Sequence, residues 1–192
     1  MATIFDGFLD SRGIGRDNSR GIGRNNCFKS ARASPPLRIP VGCKAIIDTC
    51  THIHGNMEAF WKVTAPELIK HDVEIMTPMS CMNEILRLSK RKDDPHTAAL
   101  AVKAWNSIIE HQNAGLCQIY GDPDDNTHAD PVFLYVILKY RHRFPILVIT
   151  QDNDLAHDIH SINKLKSTHC RNEVKAVRLM NDGTLQERKQ HV

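Results

Sequence analysis

The sequence predicts an α/β fold of three layers, α/β/α, in which helices cover both faces of a central, mostly parallel sheet of four to five strands. Short apolar runs rich in β-branched residues, each typical of a buried strand, alternate with longer segments whose apolar residues recur at helical spacing. Parallel strands need a long crossover connection, and a helix between successive strands supplies one.

The first predicted elements form two strand–helix units. Residues 45–47 are a short apolar strand, and the helical region after it contains Pro66, which suits the first turn of a helix. The next strand, 73–76, is stopped by Pro78. A helix whose apolar residues recur at helical spacing begins near Ser80.

The later elements continue the same alternation. Asp94 and Pro95 open a long helix that Gly115 ends, because aspartate caps a helix start and glycine suits a helix end. Asp130 and Pro131 open a second apolar helix in the same way. That second helix spans 132–140. The remaining predicted elements are strands 116–120, 146–150 and 174–180, a short helix after Asp152, and a turn at 181–183.

A basic arm precedes the predicted domain. Residues 11–26 repeat the pattern Ser-Arg-Gly-Ile-Gly-Arg twice, and this pattern has no apolar periodicity that could form a core. Residues 1–40 hold seven Lys and Arg against three Asp, so their net charge is +4 in a chain of +3. We expect a flexible arm and linker over 1–42, which either contacts nucleic acid or is a plain disordered tail, a folded domain over 43–181, and a C-terminal tail over 182–192.

The remaining composition predicts a soluble cytoplasmic protein with no membrane partner. No segment approaches the roughly 20 apolar residues of a membrane helix, and the first residues do not read as a secretory signal. The six cysteines form no Cys-x-x-Cys pair, which is typical of reduced thiols in the cytosol.

Acidic residues lie where the predicted strands end. Asp48 ends the first strand, and Glu84 lies about one turn into the helix after the second. Asp130 heads the helix that follows the third strand. Asp152 ends the fourth strand, with Asp154 two residues on. Because the carboxyl ends of parallel strands meet at one edge of a sheet, these acids would crowd together and repel one another unless a divalent cation neutralised them.

Each acid also has a purely structural interpretation, as a helix cap or as part of a solvated helix face. The coincidence at four strand ends favours a metal site, and oxygen ligands without paired His or Cys favour Mg²⁺ or Mn²⁺. Two other phosphate or metal motifs are excluded. No Gly-Lys-Ser/Thr follows a glycine-rich turn, and the acidic loop 122–128 has Thr127 where a calcium loop needs glycine.

The acidic segments resemble those of the PIN-domain ribonucleases, over about residues 44–180. The matching segments are the strand before Asp48-Thr49, Pro78 before helical Asn83-Glu84, Ala129-Asp130 before an apolar helix, and the run Val148-Ile149-Thr150-Gln151-Asp152-Asn153-Asp154. The last run is the most specific, since it matches the family's strand–Thr–x–Asp–x–Asp pattern. The order and spacing of the acids agree as well.

This resemblance implies a PIN-like fold and metal-dependent hydrolysis of phosphodiester bonds in single-stranded or structured RNA. The implied ligands of one or two Mg²⁺ or Mn²⁺ ions are Asp48, Glu84, Asp130 and Asp152, with Asp154 as an accessory ligand. The Thr150 hydroxyl would orient the acids or the nucleophilic water. Cationic residues would have to surround the acids to bind RNA, and the candidates are the arm, Lys90, Arg91, Lys92, Lys139, Arg141, His142 and Arg143.

Two features depart from the family pattern. Cys50 stands where the family commonly has Asn or Ser, and the loop 122–128 is richer in acids than usual. The alternative function is a non-catalytic PIN-like module that binds RNA or acts as a scaffold. For an active enzyme, two roles stay open: a toxin neutralised by an antitoxin, or an RNA-processing nuclease, with or without another protein partner or a homodimer.

Overall fold

The computed structural model describes residues 37–122, 129–165 and 172–188, which excludes the 11–26 repeat, the loop 123–128 and the last four residues. In these ranges the chain forms six strands and six helices. They are β1 (Lys44–Ile47), α1 (Thr49–His54), α2 (Met57–Lys70), β2 (Glu74–Pro78), α3 (Met79–Ser89), α4 (Pro95–Asn113), β3 (Gln118–Tyr120), α5 (Ala129–Tyr140), β4 (Ile146–Ile149), α6 (Asn153–Ile162), β5 (Val174–Leu179) and β6 (Leu185–Glu187).

The strands form one sheet in the order β3-β2-β1-β4-β5-β6. All neighbouring pairs are parallel except β5 and β6. This confirms the predicted α/β fold with a mostly parallel central sheet, and β6 adds a sixth, antiparallel strand. The strand order reverses between β1 and β4, which is where an open α/β sheet forms a crevice at its carboxyl edge.

Helices cover both faces of the sheet, as the three-layer prediction requires. Consecutive residues of a strand point to opposite faces. Ala45 and Ile47 of β1 therefore pack with core residues of α2 and α4, whereas Ile46 packs with Phe133 of α5 and Ile159 of α6. Strands buried on both faces explain the nearly continuous apolar runs in the sequence.

The ends of the folded part differ from expectation. Leu37 and Ile39, which fall in the predicted linker, pack against the core cluster that contains α2 and α4. The segment expected to be a C-terminal tail contains β6, whose Leu185 pairs with Leu179 of β5. In both segments, apolar side chains that would otherwise be exposed to water pack against the domain.

Pro66 lies inside α2 rather than in the first turn of a separate helix. The helix begins earlier because the side chain of Asn56 caps it, accepting a hydrogen bond from the Ala59 amide at 3.2 Å. Phe60 and Leu68 are buried on either side of the proline. Their packing maintains the helix where proline removes one backbone hydrogen bond.

The turn between β5 and β6 packs closely on α2. Gly183 has a φ of +86°, and a Cβ at this position would lie 2.4 Å from the Ala59 carbonyl oxygen. The Gly183 carbonyl accepts a hydrogen bond from the Thr64 hydroxyl at 2.5 Å. Glycine is required here both for its backbone conformation and for the close approach.

His52 of α1 is a buried histidine, with a 5% exposed fraction. Its Nε2 lies 3.1 Å from the Thr77 hydroxyl of β2. Burial lowers the pKa of His52 from its ordinary 6.5 to about 3, so the ring is neutral in the folded protein at neutral pH.

The buried His52 predicts a loss of stability in mild acid. Its pKa is lower in the folded protein than in the unfolded chain, so the unfolded chain binds the proton first as the pH falls below 6.5. The contribution of His52 to stability is therefore fully present above pH 6.5 and declines toward pH 3, by at most about 1.4 kcal/mol per pH unit. Urea unfolding followed at several pH values in this window measures the slope.

The matched variants for this measurement are His52→Gln and His54→Gln, since His54 is exposed on the same helix. We expect His52→Gln to reduce the slope and His54→Gln to leave it as in the wild type. An unchanged slope in His52→Gln would contradict the assignment.

Candidate active site

The carboxyl ends of β1 and β4 meet at the point where the strand order reverses. The Asp48 amide donates a hydrogen bond to the Ile149 carbonyl at 3.1 Å, and the Thr51 hydroxyl donates to the same oxygen at 3.1 Å. These bonds extend the pairing of the two strands by one residue beyond their ends. Asp48 and Thr150 are thereby placed side by side.

Asp48 is a buried carboxylate, with a 4% exposed fraction. Its Oδ2 accepts hydrogen bonds from the Thr150 hydroxyl at 2.8 Å and from the Cys50 thiol at 2.6 Å. The Thr150 hydroxyl in turn accepts a hydrogen bond from the Asp152 amide at 3.0 Å. The Thr150 hydroxyl therefore connects the Asp48 side chain to the Asp152 backbone.

Cys50 keeps its proton in this arrangement. Burial, followed by the neighbouring Asp48 charge, raises the pKa of the Cys50 thiol to about 12. The Gln151 amide donates to the sulfur at 3.3 Å. The residue that departs from the PIN-domain pattern is thus a hydrogen-bond donor to Asp48, a role that a hydroxyl or an amide can also fill.

Glu84 is connected to the same region through Thr49, the residue after Asp48. The Thr49 hydroxyl donates to Glu84 Oε2 at 2.8 Å, and Arg87 Nη2 lies 3.7 Å from Oε1. Cys81 is fully buried nearby. Burial raises the pKa of Cys81, and the charges of Asp48 and Glu84 raise it further.

Asp152 caps α6, as its structural interpretation anticipated. Its Oδ1 accepts hydrogen bonds from the amides of Asp154 at 2.6 Å and Leu155 at 3.2 Å. Asp154 is exposed in the first turn of the helix. The cap fixes the carboxylate at the reversal point of the sheet, next to Thr150.

Asp130 lies at the start of α5, but its side chain is outside the part of the chain that the structure describes. Among the described side chains, no three His, Cys, Asp or Glu residues form a group able to hold a metal ion. The predicted ligand set includes Asp130, so it remains a prediction. The carboxylates of Asp48, Glu84 and Asp152 have the oxygen chemistry that suits Mg²⁺ or Mn²⁺.

One cation beside these acids was absent from the sequence-based predictions. Arg188 follows β6, and its Nη1 donates to the Asp152 carbonyl at 2.9 Å and to Asn153 Oδ1 at 2.6 Å. Burial and then the charge of Arg178 lower the pKa of Arg188, while Cys50, Asp152 and Asp48 act in the opposite direction. The Asp-Gly turn before β6 is the sequence signal that could have indicated a hairpin here.

The cations predicted to surround the acids are not all at the surface. Arg141 has a 5% exposed fraction, and its Nη1 donates to the Ile162 carbonyl at 2.7 Å. It is a buried residue that joins the ends of α5 and α6, so its inclusion among the RNA-contacting candidates was wrong. Exposed residues from that list are Lys90, Arg91, Lys92, Lys139, His142 and Arg143.

The comparisons with known proteins give a likeness in structure but none in sequence. No protein-family model matches the chain, and no curated protein sequence matches it. A solved structure described as "Structure of the PIN domain endonuclease Utp24" aligns with a TM-score of 0.49 and 13% sequence identity, covering 77% of this chain and 92% of that one. The fold class stated above therefore rests on the strand order and the two helical layers themselves.

The hydrogen bonds of Thr150 predict its contribution to stability. Thr150→Val keeps the shape of the side chain but removes a donor from the buried Asp48 carboxylate, so we expect the free energy of unfolding to fall by about 1–3 kcal/mol. Thr150→Ser keeps the hydroxyl and should cost clearly less. Urea unfolding at neutral pH compares the two variants. An equal loss of unfolding free energy in both would show that the hydroxyl does not contribute to stability.

Proposed function

We propose that the protein is a metal-dependent ribonuclease whose active site lies at the reversal point between β1 and β4. The observation that carries the proposal is the hydrogen-bonded connection from Asp48 through the Thr150 hydroxyl to Asp152. It joins two acids from distant parts of the sequence at the edge where open α/β sheets bind their ligands. Glu84 is connected to it through Thr49.

In this proposal the residues that hold one or two Mg²⁺ or Mn²⁺ ions are Asp48, Glu84, Asp130 and Asp152, with Asp154 as an accessory ligand. When bound, the divalent ion supplies Lewis acidity, which activates water near neutral pH and stabilises charge on the attacked phosphate. The proposed ligands are carboxylate oxygens rather than paired His or Cys side chains, which supports Mg²⁺ or Mn²⁺ as the bound ion.

The reaction is hydrolysis of an RNA phosphodiester. The water oxygen forms a bond to phosphorus, the bond from phosphorus to one ester oxygen breaks, and the displaced oxygen receives a proton that came from the water. The chain's own contribution is positioning. Thr150 and Cys50 donate to one oxygen of Asp48 and so fix the orientation of that carboxylate.

Single-stranded or structured RNA is the proposed substrate class. Exposed basic residues beside α3 and at the end of α5, namely Lys90, Lys92, Lys139, His142 and Arg143, support binding of a polyanion. None of the helices in the described ranges is both long and apolar enough to cross a bilayer. Cys43, Cys50, Cys81 and Cys117 are free thiols, which suits the proposed cytoplasmic location.

A non-catalytic RNA-binding or scaffolding protein is the second candidate. The observation that favours it is the capping role of Asp152, whose Oδ1 is engaged by two amides of α6. If the protein is an active nuclease, it acts either as a toxin with a protein antitoxin or in RNA processing. Growth arrest on expression, relieved by a neighbouring reading frame, would identify the toxin role.

The decisive measurement is cleavage of a generic labelled RNA with Mg²⁺, with Mn²⁺ and with chelator. We expect cleavage with either ion, none with chelator, and a loss of at least about a hundredfold in Asp48→Asn and Asp152→Asn. Asparagine also caps helices, so Asp152→Asn removes the charge while keeping α6 in place.

Asp93→Asn is the control for this assay. Asp93 is an exposed acid whose hydrogen bonds are to Arg91, and we expect its variant to cleave at the wild-type rate. RNA binding that is unaffected by chelator, without any cleavage, would replace the nuclease proposal with the second candidate.

A further inference from the structure

A cleft of about 160 Å³ opens at the amino edge of the sheet, on the side away from the acids. β1, β4 and β5 begin beside it, and Pro40 and Pro145, which precede two of these strands, form part of its wall. Cys43 also lines the cleft, whereas Asp48 lies at the other end of β1, roughly 16 Å away along the strand. The cleft is therefore separate from the candidate active site.

Arg38 and Lys175 give this cleft its positive charge. Neither side chain takes part in an ion pair between described residues. The exposed carboxylate of Glu173 also lines the cleft, so the two cations leave one positive charge in excess. This excess balances one phosphate of a nucleic-acid strand, and an anion could bind both cations without breaking an existing ion pair.

The fold holds both cations in place. Leu37 and Ile39 pack against the core, so the exposed Arg38 between them is kept at the cleft. Lys175 lies in β5, whose first residue forms two backbone hydrogen bonds with the side chain of Asn163 at the end of α6, at 2.7 and 3.0 Å. A site whose walls are fixed before binding loses less conformational entropy when the ligand arrives.

The wall at Cys43 is neutral but lies in a positive field. Burial raises the pKa of the Cys43 thiol to about 11, while a hydrogen bond with the Leu147 backbone and then the charges of Lys175 and Lys44 act in the opposite direction. The lining thus combines apolar groups with positive charge, which suits a nucleotide. Sites for whole drug-sized ligands measure about 300–1,000 Å³, so this smaller cleft fits one part of a longer molecule.

The sequence that precedes the cleft favours a long anion over a small one. Residues 1–36 hold six Lys and Arg against three Asp, a net charge of +3, and they join the described part of the chain at Leu37, next to Arg38. A strand bound at the cleft can release counterions from this segment as well, whereas a small anion interacts with the cleft alone.

We propose that this cleft is a second RNA-binding site, where Arg38 and Lys175 bind a phosphate of the single strand that is cut at the opposite edge of the sheet. This inference rests on the proposed nuclease function. A second contact on the same strand raises the affinity for RNA through effective concentration. It does so away from the acids, which repel the substrate.

The test measures RNA binding separately from cleavage. The parent protein is Asp152→Asn, which is expected not to cut the probe. Arg38→Gln, Lys175→Gln and the double variant are made in it, with Lys103→Gln as control, because Lys103 is exposed on α4 and does not line the cleft. Fluorescence anisotropy with a labelled single-stranded RNA in Mg²⁺ gives the dissociation constant at several salt concentrations, and circular dichroism gives melting temperatures. The same RNA containing thiouridine is photo-crosslinked, and mass spectrometry identifies the attached peptides.

We expect the double variant to bind RNA about tenfold or more weakly, with a slope of log affinity against log salt reduced by about 0.7, the value for one lost phosphate contact on a single strand. Each single variant should lose part of this affinity, and Lys103→Gln should bind like the parent. Crosslinks in the parent should fall in residues 38–43, 145–147 or 172–175, and the double variant should lose them.

The inference is overturned by parental affinity in the double variant, by an equal loss in Lys103→Gln, or by a loss that follows a lower melting temperature while the salt slope stays the same. Inorganic phosphate that stabilises the parent but not the double variant, without RNA crosslinks at the cleft, would make it a small-anion site instead. Cleavage by the wild type tests the nuclease proposal independently. If the wild type cuts no RNA while the double variant shows the expected losses, the cleft remains an RNA site and the catalytic function is rejected.

Discussion

The parallel pairing of β1 with β4 is the constraint on which the candidate site depends. These two strands come from distant parts of the chain, and their register places Ile47 opposite Ile149. Each strand then contributes its next residues to the same edge of the sheet, so that Asp48 and Thr150 meet. The apolar residues of both strands are buried between two helical layers, which prevents a shift in register that would separate the acids.

The fold was largely predictable because its signals are local. Buried parallel strands produce apolar runs, and the helices between them produce clear periodicity, as in α4 with its Asp94 cap. The exceptions are positions where tertiary packing overrides a local signal. Pro66 remains inside a helix because its neighbours are buried, and β6 exists because β5 offers an unpaired edge to a short polar strand.

The site was predictable only in part, for a related reason. The position of an acid after a strand is visible in the sequence, and the structure joins Asp48, Glu84 and Asp152 through threonine hydroxyls and backbone amides. The sequence does not show in the same way whether a basic residue is buried or lies beside the acids. Arg141 is buried against a carbonyl while Arg188 reaches the acids from the last strand, and both outcomes depend on contacts across the fold.

The tight turn at Gly183 has a consequence for how the edge of the sheet responds to changes elsewhere. It packs against α2, on the opposite side of the sheet from α6, and the short strand that follows it ends at Glu187, just before Arg188. Any bulk added at this turn must push either the helix or the hairpin aside. Because β6 has only three residues, the hairpin is less stable than α2 and is the part that moves. A disturbance at α2 would therefore be transmitted through the hairpin to the helical layer on the opposite face of the sheet.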